Sequence, residues 1–250
     1  MSLFPALRFR LETAEELGST NQVLLDQSHL DNFHGRALLA KRQLAGVGRR
    51  GRSWQSLEGN LALSLGFVLK RDQPISLLPF IVGISLYDTA LEYLPPTADL
   101  SLKWPNDIYL NKKKMGGMLS QAKQQGDEIR FVVGIGLNLL GAPEEARVPA
   151  IALAAMVQAP PSAEAFAEKF LRHLSSRISN ITEFEQLRAD WETRCKHMGK
   201  EILYFSPDTP EQKIRALAKS ISATGELRVE QLDGTESSLS GEELSLELLL

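Results

Sequence analysis

The stretch from Lys103 to Leu119 reads Lys-Trp-Pro-Asn-Asp-Ile-Tyr-Leu-Asn-Lys-Lys-Lys-Met-Gly-Gly-Met-Leu. Its first five residues combine an amine, an aromatic ring, a carboxamide and a carboxylate in one turn-forming run. A second lysine, Lys114, stands directly before Met115 and a glycine pair, where the backbone can pass close to a ligand. The stretch predicts amines held beside a turn, a suitable arrangement for neutralising negative charge.

A second run, from Gly46 to Trp54, reads Gly-Val-Gly-Arg-Arg-Gly-Arg-Ser-Trp. Its glycines allow backbone amides to approach a ligand closely, and its arginines can pair with a phosphate or carboxylate. Trp54 offers an apolar face for a flat ring. The spacing is that of neither a Walker loop nor a dinucleotide fingerprint. Taken alone, such a run more often forms a solvated, flexible basic hairpin, so both interpretations stay open.

Composition narrows the class of protein. The chain has 250 residues, 43% hydrophobic and 24% charged, and its formal net charge of -3 gives no general case for nucleic-acid binding. Cys195 is the single cysteine, so neither a disulfide framework nor a cysteine-based zinc site is expected. The amino terminus lacks a secretory pattern, and charges interrupt the longest apolar window, Ile75–Leu94. We expect a cytoplasmic enzyme that has no membrane partner.

Hydrophobic periodicity and turn residues predict alternating strands and helices up to about residue 197, followed by short strands alone. The predicted strands are 7–11, 37–42, 61–69, 100–104, 118–122, 129–137, 201–205, 213–221, 226–231 and 243–246. Four helices are predicted. The first is capped by Ser19 or Thr20, the second covers 76–94, the third begins after Pro160-Pro161-Ser162, and the fourth covers 182–194. The change of texture predicts two domains, 1–197 and 198–250.

Five motifs follow one another along the chain: Gly-Ser-Thr-Asn at 18–21, Gln43 with the run 46–54, Lys-Trp-Pro-Asn-Asp at 103–107, Lys-Met-Gly-Gly-Met-Leu at 114–119, and Gly-Ile-Gly-Leu-Asn at 134–138. Taken in this order, they resemble the motifs of biotin protein ligases. Each motif alone has an ordinary structural explanation, such as a helix cap, a turn or a lysine-rich surface. The combination and its order are specific, and they cover residues 11–155 most strongly.

The resemblance implies an α+β fold: a mixed β-sheet catalytic domain with flanking helices, similar to class II aminoacyl-tRNA synthetases, plus a small SH3-like β-barrel. It implies an ATP- and biotin-binding ligase that makes biotinyl-5′-adenylate with ATP and substrate-associated Mg²⁺. Such an enzyme then modifies a protein, by transferring biotin to one lysine of the biotin carboxyl carrier protein of acetyl-CoA carboxylase.

The resemblance also assigns roles to residues. Those expected to bind biotin are Ser19, Thr20, Asn21, Gln43, Gly46, Val47, Gly48, Arg49 and Lys114. Those expected to bind ATP or the adenylate are Arg50, Arg52, Trp54, Asn106 and Asn138. Those expected to act in catalysis are Lys103, Asp107, Lys114 and Arg49. No metal ligand on the protein is assigned.

Two departures from the family pattern matter. Val47 stands where many members carry arginine, so only a contact made by the backbone is kept at that position. Only 18 residues precede Ser19, too few for a winged-helix DNA-binding domain, so we expect a monofunctional ligase without a DNA partner. Alternatives are a lipoate ligase-like acyl-adenylating enzyme and a non-catalytic module that binds biotin or RNA. The sequence does not decide whether the chain forms a homodimer, and it leaves the role of Asp107 undecided.

Overall fold

A computed structural model describes residue 4 and residues 6–206, 209–241 and 246–248 of the chain. Twelve strands and four α-helices are found in these ranges. The strands are β1 Arg10–Leu17, β2 Arg36–Gln43, β3 Leu61–Lys70, β4 Leu100–Lys103, β5 Asp107–Leu110, β6 Lys113–Gln125, β7 Glu128–Leu137, β8 Glu201–Ser206, β9 Thr209–Ile221, β10 Leu227–Gln231, β11 Glu236–Leu239 and β12 Leu246–Leu248. The helices are α1 Thr20–Asp26, α2 Leu78–Leu91, α3 Ala163–Asn180 and α4 Phe184–Arg194.

The first sheet has seven strands in the order β1-β2-β3-β7-β6-β5-β4. Strand β1 pairs with β2 in parallel, and every other neighbouring pair is antiparallel. The predicted mixed sheet with flanking helices is therefore confirmed.

The two faces of this sheet are covered differently. Leu39 and Val133 point into the large core that α2 and α3 cover, whereas Leu38 and Val132 belong to a smaller cluster with Leu24 of α1. Alternate residues of a strand face opposite sides, so α1 lies on the face opposite α2 and α3. We call this the site face. With only seven residues, α1 leaves much of the site face free of helix.

The second sheet has the order β11-β10-β9-β8-β12 and is open among the described residues. The predicted SH3-like barrel is therefore not confirmed. Its inner residues, including Ile202 and Ala216, join the same buried core as α2. One polar contact also ties the two sheets together, because the Trp104 indole N–H donates to the carbonyl of Gly225 at 3.1 Å.

The predicted elements β2, β3, β4, β7, β8 and β10 and helices α2 to α4 agree with the structure to within a few residues. The strands predicted at 118–122 and 213–221 are parts of the longer β6 and β9. The strand predicted at 7–11 is misplaced, since β1 runs from Arg10 to Leu17. That strand lies at the sheet edge and exposes most of its polar residues, so its apolar alternation is weak. Strands β5 and β11 were not predicted. Of the strand predicted at 243–246, residues 243–245 lie outside the described residues.

None of the helices in the described ranges combines the length and the apolar character that crossing a membrane would require.

Candidate active site

A β-bulge fixes the direction of Lys114. The pairing of β5 with β6 shifts register between Ile108, which lies opposite Gly116, and Tyr109, which lies opposite Lys114. The extra residue, Met115, is fully buried in the core. Because a bulge inserts one residue into the alternation, Lys114 turns to the site face while Met115 turns inward.

On the site face Lys114 meets Asp107. The ammonium lies 2.7 Å from Asp107 Oδ1, and about a quarter of each side chain is exposed. Gly117 lies beneath the pair: a Cβ there would be 2.8 Å from Asp107 Oδ1 and 3.4 Å from Lys114 Nζ. Glycine therefore leaves room for the ion pair, which stands where an incoming anion can reach it.

An indole ring lies next to this pair. Trp54 packs directly on Gly136 of β7, where a Cβ would approach Cε2 of the ring to 2.4 Å. The Lys114 ammonium lies 5.8 Å from the Trp54 ring centroid. Gly136, in the Gly134–Asn138 motif, thus lets the flat apolar ring of Trp54 lie beside the Lys114 ammonium.

The glycine-arginine run forms a small hairpin. Gly48 N–H donates to Arg52 O at 2.6 Å, and Trp54 N–H donates to Gly46 O at 2.8 Å. At its tip Arg50 has a φ of 58° and Gly51 a φ of 67°, both in the left-handed region. The side chains of Arg50 and Arg52 are exposed, as is that of Val47, at 49%.

Arg49 links this hairpin to the Lys-Trp-Pro-Asn-Asp turn. Its guanidinium donates to Asn106 Oδ1 at 3.1 Å. The side-chain amide of Asn106 donates to the Met118 carbonyl, and the backbone carbonyl of Asn106 accepts the Met118 N–H at 2.8 Å. The carboxamide therefore holds the turn against β6 and receives the arginine of the hairpin.

A polar cluster lies at the start of α1. Ser19 caps the helix by accepting the Gln22 N–H. Thr20 donates its backbone N–H to Gln43 Oε1 at 3.0 Å, and its hydroxyl lies 3.1 Å from the same oxygen. These three predicted biotin-binding residues are brought together, with hydroxyl and carboxamide groups side by side.

Sequence reasoning missed a fourth member of this cluster, Ser64. Its hydroxyl is fully buried, 2.7 Å from Thr20 Oγ1 and 2.6 Å from Asn21 Oδ1. Asn21 also donates its amide to Gln121 Oε1 at 2.8 Å and to the Leu119 carbonyl at 3.2 Å. The only sequence signal for Ser64 is one small polar residue inside an otherwise apolar strand.

Asn138 lies deeper than the other predicted residues, at 2% exposure. Its amide donates to the Ile151 carbonyl at 3.3 Å, and its N–H donates to Met115 O at 2.8 Å. These contacts brace the end of β7 against the strand that carries Lys114. Its predicted contact with the nucleotide stays a prediction.

Lys103 lies on β4, at the edge of the first sheet. Its Cα is paired with that of Asp107, and its ammonium lies 5.5 Å from the centroid of the Tyr109 ring. Burial, and secondarily the Asp107 charge, raise the pKa of Tyr109 to about 12, so this phenol stays protonated at neutral pH.

Comparison with known proteins identifies the family. The model of the biotin/lipoate A/B protein ligase family matches residues 14–138, which contain Ser64 and every site residue predicted from the sequence. The chain is 32% identical over 226 residues to the biotin–[acetyl-CoA-carboxylase] ligase of Mycobacterium tuberculosis, covering 87% of this chain and 82% of that protein. The chain belongs to the biotin/lipoate A/B protein ligase family.

Two further relatives of this ligase agree. The biotin–[acetyl-CoA-carboxylase] ligase of Paracoccus denitrificans is 34% identical over 178 residues, covering 66% of this chain and 73% of that protein. The structure of the Aquifex aeolicus biotin protein ligase in complex with biotin and ATP superposes with a TM-score of 0.76 and 29% identity. That match covers 96% of this chain and 99% of the other.

A cavity of about 400 Å³ elsewhere in this ligase is lined by Asp88, His173, Arg177 and Asn180, among others. It lies among helices on the far side of the sheet from Lys114. None of the motif residues lines it, so we assign the chemistry to the site face and not to this cavity.

Proposed function

We propose that the protein activates biotin with ATP to form biotinyl-5′-adenylate and then transfers biotin to a lysine of a biotin carboxyl carrier protein. The observation that carries this proposal is the set of groups on the site face. The Thr20–Gln43 cluster, the Trp54 ring and the Lys114–Asp107 pair all lie there. They suit the three parts of the adenylate: a polar ring system, an aromatic base and the acyl-phosphate link that joins them.

Recognition of biotin falls to the cluster at α1. The urea of biotin offers two N–H donors and one carbonyl acceptor, which hydroxyls and carboxamides complement. Ser19, Thr20 and Gln43 supply such groups, with Ser64 behind them. Gly46 and Gly48, with Val47 between them, would cover the ligand through backbone atoms, since the Val47 side chain points to solvent.

The first step brings two anions together. The biotin carboxylate attacks the α-phosphorus of ATP, a new O–P bond forms, and pyrophosphate leaves with the electron pair of the broken bond. Lys114 and Arg49 are the cations best placed to stabilise the crowded charge, and fixed cations act most strongly on charge that develops in the transition state. Trp54, Arg50, Arg52 and Asn138 would hold the nucleotide.

The hairpin from Gly46 to Trp54 would protect the product. A mixed anhydride hydrolyses in water, so a loop that orders over it and later opens would favour transfer over loss. The exposed tip at Arg50 suits this movement.

In the second step the acceptor lysine attacks the acyl carbon and AMP leaves. We propose that Asp107, once Lys114 turns to the phosphate, orients this amine or takes its proton. No three His, Cys, Asp or Glu side chains in the described ranges are placed to hold a metal ion together. Magnesium that accompanies ATP would therefore depend mainly on phosphate oxygens.

The same proposal includes a catalytic domain of residues 1–197, similar to class II synthetases, and a carboxyl-terminal domain of 198–250 with an SH3-like barrel. It also includes action in the cytoplasm.

The test is pyrophosphate release from ATP in the presence of biotin, lipoate or neither, followed by transfer of labelled biotin to the carrier domain of acetyl-CoA carboxylase. We expect release that depends on biotin and labelling of one carrier lysine. Release that depends on lipoate would favour the lipoate ligase alternative. Biotin binding without any release would indicate a binding module.

A further inference from the structure

Two lysines share one aromatic ring beside the candidate active site. The Lys196 ammonium lies 3.7 Å from the centroid of the Tyr109 ring, and the Lys103 ammonium lies 5.5 Å from the same centroid. Tyr109 is 7% exposed, so the ring forms the floor of a half-buried basic cluster.

The backbone explains how Lys196 reaches this position. The segment after α4 runs beside β4, with a parallel bridge between Leu102 and Cys195, and Lys196 N–H donates to Leu102 O at 2.9 Å. Leu102 and Cys195 both point into the core. Because alternate residues of a strand face opposite sides, Lys103 points to the site face. The contact of the Lys196 ammonium with the Tyr109 ring places Lys196 on the same face.

The same pairing places the basic cluster next to the reaction centre. Tyr109 is the cross-strand partner of Lys114, and Asp107 is the cross-strand partner of Lys103. Neighbouring strands lie about 4.8 Å apart. The Tyr109 backbone therefore lies roughly one strand spacing from that of Lys114, and the Lys103 and Lys196 ammonium groups lie over the Tyr109 ring on the same face of the sheet.

Electrostatics indicate an excess of positive charge at this point. Burial, and next the Lys103 charge, lower the pKa of Lys196 to about 8, although Asp99 opposes the effect. Burial also lowers the pKa of His197 to about 3, and Lys103, Lys196 and Lys200 all act in the same direction. Like charges held together in a half-buried place often mark a functional site.

We propose that Lys196 and Lys103 form a binding site for the β- and γ-phosphates of ATP and for the pyrophosphate that leaves. This rests on the proposed function, because Lys114 must hold the α-phosphate for the chain to extend toward Tyr109. A diphosphate carries several charges within a few ångströms and so matches two ammonium groups on one ring. The half-buried floor also suits a small anion better than a side chain of a folded partner. A site here draws the leaving group away from phosphorus.

The experiment compares Lys196→Gln with Lys200→Gln in the full chain. Lys200 is exposed and near the cluster, so Lys200→Gln controls for the loss of one nearby charge. Calorimetric titration with inorganic pyrophosphate should give binding roughly tenfold weaker for Lys196→Gln. The KM for ATP should rise similarly, the Kd for biotin should stay within twofold, and Lys200→Gln should resemble the wild type.

Unchanged pyrophosphate binding in Lys196→Gln, or equal losses in both variants, would overturn the site. A rise confined to the KM for the carrier protein would also overturn it, since the lysines would then serve the acceptor. Failure of the proposed function would give a different result. The wild-type chain would then release no pyrophosphate in response to biotin, whichever result the variants give.

Discussion

Lys114 lies 2.7 Å from Asp107 across two strands whose register slips by one residue at that point. Without the bulge, regular alternation would place Lys114 in the core and Met115 beside the carboxylate. The bulge is thus what makes the ion pair possible. A ligand phosphate would compete with Asp107 for the ammonium, and the proposed acceptor role of Asp107 requires the carboxylate to be released in this way.

We predict that Lys114→Ala lowers the rate of adenylate formation by about 10²–10³, since losing one fixed donor to a developing charge costs about 3–4 kcal/mol. The Kd for biotin should change much less, because the Thr20–Gln43 cluster is untouched. Pyrophosphate release and calorimetry measure the two quantities. Lys112→Ala, at an exposed neighbour, is the control. A Lys114→Ala rate above a third of the wild-type rate would make Lys114 an ordinary surface lysine.

Gly136→Ala should displace the Trp54 ring, because the added Cβ would lie 2.4 Å from it. We expect the KM for ATP to rise by roughly tenfold, as expected when a base loses a stacking surface worth about 1–3 kcal/mol, with a smaller change for biotin. Tryptophan fluorescence should report the new environment. Gly18→Ala, where a Cβ meets nothing within 4 Å, is the matched control. An unchanged KM for ATP would mean that Trp54 does not hold the base.

Ser64→Ala should weaken biotin binding by roughly fivefold to tenfold while leaving the KM for ATP unchanged. The buried hydroxyl fixes Thr20 and Asn21, and losing such a hydrogen bond costs about 1–1.5 kcal/mol. Ser85→Ala removes an equally buried hydroxyl, bonded to Ile81 O in α2, and controls for general destabilisation. If both variants bind biotin alike, Ser64 has only a structural role.

Whether a feature could be predicted from the sequence depends on how far apart along the chain its residues lie. The α3 helix is set locally, by the Ser162 cap and apolar residues at helical spacing, and its prediction holds. Motif order indicated Lys114, Asp107 and Trp54, and the structure brings these residues together.

Ser64, Lys196 and the bulge were beyond the sequence for a different reason. Ser64 acquires its role from Thr20, 44 positions away, and Lys196 from a strand more than 80 positions earlier. Such roles arise from tertiary pairing and leave no local pattern. The bulge depends on the pairing of β5 with β6, and β5 itself was not predicted.

Biotin should protect the hairpin from trypsin. Without ligand, the exposed Arg50 and Arg52 offer cleavage sites at a tip that its glycines leave free to open. When biotin and ATP are added, ordering of the loop should slow cleavage there. Cleavage at Lys70 and Arg71, which are exposed at the end of β3 and in the turn after it, serves as the internal control. Equal rates at the hairpin in both states would contradict closure.

The last prediction concerns stability and Lys196. Its pKa is about 8 in the folded protein against an ordinary value of 10.5, so folding disfavours its charged form. Below about pH 8 the group is charged in both states and lowers the free energy of unfolding. This penalty disappears as the pH rises from about 8 to 10.5.

Lys196→Met should therefore melt at a higher temperature than the wild type at pH 7, since methionine can still pack on the Tyr109 ring without a charge. The difference should shrink as the pH approaches 10. Tyr109 and Cys195, whose pKa values lie at about 12, are present in both proteins and cancel in the difference. Lys200→Met, at an exposed position, should show no gain. A lower melting temperature for Lys196→Met at pH 7 would mean that the lysine stabilises the fold. Stabilisation of the fold would then be enough to explain a lysine at position 196, without a bound ligand.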